Sequence, residues 1–121
     1  MRVKNIFIKE TSDNLAELEQ ELAQPTRLSH DAVEMVVRTM HNIKGTAPMV
    51  GFKEMPVIAT PIEQAYKEVL NNKLDVNGCM LEKTKSAVSV LQQLLTNEEA
   101  HTPQTEEEKH VLIDYFNTIT G

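Results

Sequence analysis

Four segments of the chain repeat the same three-then-four spacing of apolar positions, and this repetition limits the possible fold more than any other feature. The first runs through Ile8, Leu15, Leu18 and Leu22, with Thr11 filling the remaining step and Ile6 and Phe7 ahead of it. The second uses Val33, Val36, Met40, Ile43, Ala47 and Val50. The third uses Met55, Ile58, Ile62, Ala65 and Val69, and the fourth Leu81, Thr84, Val88, Leu91 and Leu95. Such spacing lays one apolar stripe along each helix, and four striped helices bury their stripes against one another. The expected fold is all-α, an antiparallel up-down four-helix bundle.

At 121 residues the chain is long enough for one core and too short for two ordinary ones. It has no Trp and few other aromatics, so the core must come from Leu, Val, Ile, Met and Ala. Four glycines and five prolines leave little turn chemistry for an all-β fold, and no stretch alternates apolar and polar residues long enough to read as a strand. Ser29 or Asp31 is placed to cap the second helix, Gly51 to close it, and Asp75 to cap the fourth. The bundle is expected to occupy residues 1–97, followed by a polar linker over 98–104. A further helix over 105–121 is expected to dock on the bundle. Thr105 and Glu108 there have capping-box spacing, and Val111, Leu112, Tyr115, Phe116 and Ile119 share one face.

The formal net charge of −6 argues against nonspecific binding to nucleic acid or anionic lipid, both of which reward basic patches. The single Cys79 rules out an internal disulfide framework and fits a reducing compartment. No secretory signal is visible, and no apolar run approaches the roughly 20 residues that span a bilayer. The expectation is a soluble, cytoplasmic protein without direct membrane contact.

Chemistry concentrates in one stretch, "MHNIKGTAPMVGF", residues 40–52. At about 100° per residue, the apolar positions of the second helix centre near Val33, Met40 and Ala47, and His41 falls roughly 110 to 120° away. His41 is therefore expected to face outward. Arg38, Gly45 and Pro48 share its strip, and Lys44 lies on the border with the core one turn after His41. Glycine within a helix costs about 1 kcal/mol against alanine. An ordinary helix stop at Gly45 is disfavoured because the apolar period continues through Ala47 and Val50, so the helix is expected to continue, bent at Pro48. On a continuing helix Gly45 removes the side chain that would crowd the imidazole, leaving room for another protein to approach. An imidazole ordinarily titrates near 6.5, so around neutral pH a nucleophilic nitrogen is available. Once it carries a phosphoryl group, Lys44 can bond the anionic oxygens, as Arg38 can from the preceding turn.

The run "HNIKGTAPMVG", with His41, Lys44, Gly45 and Gly51 at their spacings, resembles the signature of histidine-containing phosphotransfer (HPt) domains of multistep phosphorelays. "FIKETSDNLAELEQEL" resembles the first bundle helix of these domains and "EMPVIATPIEQA" the third, with Glu63 at the usual acidic position. The resemblance covers about residues 6 to 95. It implies that His41 is the phosphoacceptor, Lys44 the phosphate-stabilising cation and Gly45 the clearance residue, with Gly51 structural. Gln64 and Lys67 are second candidates for leaning toward His41 from the third helix. The implied partners are response-regulator receiver domains and a hybrid sensor histidine kinase. The implied role is a carrier rather than an enzyme, holding no cofactor and no metal of its own, with Mg²⁺ in the partner receiver. A phosphoacceptor domain of a chemotaxis-type histidine kinase and a non-phosphorylated helical interaction module are the alternatives. Pro48 and Pro61 depart from the family pattern, and Pro61 falls inside the expected third helix, where bundle geometry should be distorted.

Glu-x-x-His occurs twice, at Glu98 to His101 and Glu107 to His110. Di-iron bundles use such pairs facing inward from separate long helices, together with further glutamates. Here the pairs flank Pro103 in a polar region, so no metal site is expected. His30, beside the cap of the second helix, is expected to be merely exposed.

Overall fold

The computed structural model describes residues 2–23, 29–96 and 103–120. They form five helices: α1 (Arg2–Leu22), α2 (His30–Thr46), α3 (Met55–Leu70), α4 (Gly78–Thr96) and α5 (Pro103–Thr120). A 3-10 turn, Ala47–Val50, follows α2 directly, and no strand occurs among the described residues. Consecutive helices pack on each other and α4 closes against α1, which completes a four-helix bundle. The helix α5 packs against α3 and α4.

The stripes meet as the core. Leu15, Leu18 and Leu22 of α1, Val36, Met40 and Ile43 of α2, Met55, Ile58 and Ile62 of α3, and Val88 and Leu91 of α4 are all buried. Each large aliphatic side chain so placed contributes about 1.5–3 kcal/mol relative to exposure. The stripe of α1 is headed by Phe7 rather than Ile8. Phe7 is buried with its ring centroid 5.6 Å from that of Phe52, whereas Ile8 is half-buried and Ile6 exposed. Val50, Val69 and Leu81 lie at the margin of the core, half-buried.

The helix ends explain where the chain turns. Ser29 caps α2, its hydroxyl accepting the Ala32 N–H at 3.1 Å. For α4 the cap is Asn77, whose side-chain oxygen accepts the Met80 N–H at 2.8 Å, and not Asp75, which is exposed two residues too early for a helix starting at Gly78.

The second helix does not continue as an α-helix bent at Pro48. Its α-helical part ends at Thr46 and the chain tightens into the 3-10 turn, near whose start Pro48 stands. Proline has no N–H to give the carbonyl four residues back, but the first turn of a helix does not require one. Gly51 then closes the turn at φ 96°, a left-handed conformation that glycine adopts without steric cost, and the Phe52 N–H reaches back to the Ala47 carbonyl at 2.9 Å.

Pro61 does not break α3, which runs from Met55 to Leu70. The carbonyl deprived of its donor belongs to Val57, an exposed residue, so water can take the missing bond. Between α3 and α4 a buried polar link is complete. The Thr84 hydroxyl donates to the Met80 carbonyl at 2.7 Å, which uses its one proton, so the Tyr66 hydroxyl 2.7 Å away must donate to Thr84. Burial pushes the Tyr66 phenol up to about 12.

The last helix begins at Pro103, a first-turn position that suits a residue without N–H, so Thr105 and Glu108 lie within it rather than forming a capping box at its start. Positions 103 and 104, expected in the linker, are helical, while 97–102 lie outside the described residues. Leu112 and Phe116 are buried, and the Lys109 ammonium bonds Glu54 at 2.7 Å, at the start of α3.

Candidate functional site

Met40 and Ile43 of α2 are sunk in the core, which turns His41 between them to the surface with 63% of its side chain exposed. The neighbouring helix α3 supplies the group that orients it. Nδ1 of His41 lies 2.8 Å from Oε2 of Glu63, a carboxylate only 3% exposed. The Lys44 ammonium, one turn after His41, lies 2.7 Å from the other oxygen, Oε1. The Lys67 ammonium, one turn after Glu63, lies 3.3 Å from Oε2. One carboxylate thus gathers a ring and two cations from two helices.

A buried carboxylate is tolerated when it is paired and hydrogen-bonded. Burial alone pushes the Glu63 carboxyl up, but the hydrogen bonds from Lys44, His41 and Lys67 and the charge of Lys44 outweigh it, so the group sits below its usual 4.5. An ionised carboxylate only accepts, so the proton of the neutral ring belongs on Nδ1. The lone pair is then on Nε2, the nitrogen not engaged by Glu63. The site offers a nucleophilic nitrogen at an open surface, held in one tautomer from behind.

The other expected residues divide. Gly45 is exposed, and a Cβ built there meets nothing within 4 Å, so no contact inside the protein requires glycine at that position. Lys67 does lean toward the site, but onto Glu63 rather than onto the ring. Gln64, one residue on from Glu63, is turned about 100° around the helix and is exposed. Arg38 lies on the other flank of α2, lining a hollow of about 230 Å³ with Asn14 and Glu17 of α1. Neither Gln64 nor Arg38 is hydrogen-bonded to His41.

Glu63 is the residue that spacing did not single out; only the family pattern marked its acidic position. A signal was present, because Glu63 shares a helix face with Ala59 and Tyr66, both buried, and a carboxylate on such a face needs a cation within reach. Among the described residues no group of three His, Cys, Asp or Glu side chains is placed to hold a metal ion. Glu107 and His110 are exposed on α5, and the Glu98 to His101 pair lies outside the described residues. His30 is exposed and bonds Glu34 at 2.8 Å.

The family model described as Hpt domain matches residues 2–101. A curated relative, Chemotaxis protein CheA of Rhizobium meliloti (strain 1021), is 32% identical over 94 residues, covering 76% of this chain and 12% of that protein. The chain therefore spans only a small part of the length of this relative, and α5 lies beyond the segment matched by the family model.

Proposed function

The chain belongs to the Hpt domain family, and from that premise we propose that it is a phosphoryl carrier of two-component signalling with His41 as its acceptor. The group comes from the phospho-aspartate of one receiver domain and passes to another. The observation that carries this reading is the division of labour on one ring: Nδ1 is bonded to a buried carboxylate at 2.8 Å while the ring stands 63% exposed.

In the transfer, the Nε2 lone pair attacks phosphorus, an N–P bond forms, and the P–O bond to the donor aspartate breaks with its electron pair leaving on the carboxylate. No proton is lost from the ring, which becomes cationic with its Nδ1–H kept. Glu63 faces that developing charge from a site of low solvent access, where a fixed counter-charge acts without reorganising. Lys44 is within one turn of Nε2 and can bond the phosphoryl oxygens. Gly45 leaves the approach to the ring clear for the partner. The receiver supplies Mg²⁺ and most of the catalysis, so the chain acts as carrier and not as enzyme. A cytoplasmic setting fits these partners, and among the described residues no helix is long and apolar enough to cross a membrane.

A second reading is favoured by the similarity to Chemotaxis protein CheA: the chain as phosphoacceptor domain of a chemotaxis-type histidine kinase. The two differ in the donor. Mixed with a phosphorylated receiver domain, the protein is expected to gain an acid-labile phosphoryl group, which His41→Gln abolishes. Lys44→Ala is expected to slow the transfer without unfolding the bundle. Labelling by a kinase ATP-binding domain and never by a receiver selects the second reading, and labelling that survives His41→Gln rejects both.

A further inference from the structure

The two lysines on Glu63 do not stand in equal places. Lys44 is on the helix of His41, one turn beyond it, so the amine that bonds Oε1 at 2.7 Å also neighbours the ring that would carry a group on Nε2. Lys67 is on α3, and its ammonium approaches Oε2 at 3.3 Å. Its side chain is 48% exposed and its bond the longest of the three, so at rest it contributes less than His41 and Lys44 do.

Phosphorylation changes the balance, a point that rests on the reading of His41 as phosphoacceptor. A phosphoryl group brings about two negative charges and three strong acceptor oxygens. It competes with Glu63 for Lys44. Were Lys44 to turn away with nothing in its place, Oε1 of a carboxylate 3% exposed would lose its donor, the situation that buried charges tolerate least. Lys67 is placed to prevent this. It follows Glu63 at i+4, the favourable order for such a pair, and its four-carbon stem lets the ammonium move between the two oxygens.

We propose that Lys67 is a positioning residue for phosphotransfer: it takes over the Glu63 carboxylate when Lys44 turns to the phosphoryl group, and so keeps that carboxylate fixed behind Nδ1 of the cationic ring. Lys44 is thereby free to serve the phosphate while the ring stays oriented. Lys67 touches neither the ring nor the phosphoryl group in this account and acts only through Glu63.

The test is single-turnover transfer from a phosphorylated receiver domain over a range of receiver concentrations, using wild type, Lys67→Met, Lys67→Arg, Glu63→Gln and the Glu63→Gln/Lys67→Met pair. Imidazole ¹⁵N spectra of the unphosphorylated proteins accompany it. Lys67→Met should lower the saturating rate about tenfold, the equivalent of one hydrogen bond to a charged group, and leave the half-saturating concentration unchanged. Lys67→Arg should restore the rate, and the resting Lys67→Met spectrum should keep the Nδ1–H tautomer. In the Glu63→Gln background, Lys67→Met should cost no more than about twofold further. The proposal is overturned by a wild-type saturating rate in Lys67→Met, by a loss confined to the half-saturating concentration, which marks a docking charge, or by an equal loss without Glu63. If Glu63→Gln transfers too slowly to read, rescue by Lys67→Arg and the split between rate and half-saturation decide the matter. Wild type that takes no label on His41 counts instead against the phosphoacceptor reading, and removes the proposal with it.

Discussion

Oε2 of Glu63 lies 2.8 Å from Nδ1 of His41 across the α2–α3 interface, so a side chain 3% exposed fixes the tautomer of one 63% exposed. The chemistry at the surface is prepared from within, and acid should undo it. The folded Glu63 carboxyl titrates below its usual 4.5, because hydrogen bonds from Lys44, His41 and Lys67 outweigh the opposing effect of burial. Its contribution to stability is therefore complete above pH 4.5 and lost as pH falls through the lower folded value. In urea denaturation between pH 7 and 3, the stability gap between wild type and Glu63→Gln should hold near neutrality and close on acidification. A gap that does not change with pH would contradict the ionised, triply bonded carboxylate.

Gly45 should separate stability from function. A Cβ there meets nothing within 4 Å, so Gly45→Ala should stabilise the protein by as much as about 1 kcal/mol. The same methyl group should slow transfer from a receiver, and Gly45→Leu should slow it further. Thermal melts and transfer rates on the two variants check the pair, and a variant that melts higher while transferring at the wild-type rate would deny Gly45 its clearance role.

The Tyr66–Thr84 link gives an asymmetric pair of substitutions. Thr84→Val leaves the Tyr66 hydroxyl buried without an acceptor, whereas Tyr66→Phe leaves Thr84 still donating to the Met80 carbonyl. The first should cost about 1–3 kcal/mol and the second about 1 kcal/mol, read from denaturant midpoints. The phenol is raised by burial from 10 to about 12, so its stabilising effect is intact below pH 10 and fades as pH rises toward the folded value. Tyrosinate absorbance in an alkaline titration should accordingly appear together with loss of helix for Tyr66.

Phe116 tests whether α5 is part of the folded unit. It is fully buried between α5 and its neighbours α3 and α4, so Phe116→Ala should cost about 3–5 kcal/mol. Val111 on the same helix is 46% exposed, and Val111→Ala should change the midpoint by well under 1 kcal/mol. Equal effects at the two positions would mean that the helix does not dock as described.

The fold was legible because the apolar period is long and repeated: Leu15, Val36, Met40, Ile58, Ile62 and Leu91 are buried where their spacing puts them. His41 was legible for the same reason, as the residue displaced from that stripe. Helix ends were less so. Asn77 and Asp75 are equally good caps by type, and only the position at which α4 starts distinguishes them. The 3-10 turn at Pro48 satisfies the same apolar positions as a bent α-helix, since Ala47 is buried in either case, so the period cannot tell them apart. Gln64 and Lys67 both fit a loose idea of a residue on α3 near His41. Glu63 settles the matter, and its partners depend on how α2 and α3 pack, which no single helix encodes.

The bond from Lys44 and the bond from His41 both cross from α2 to Glu63 on α3, so the atoms that aim the ring are also a clamp between two helices. Reactivity and local rigidity are thereby mechanically tied. A substitution deep in the α2–α3 seam, remote from any phosphate, should register as altered transfer before it registers as unfolding.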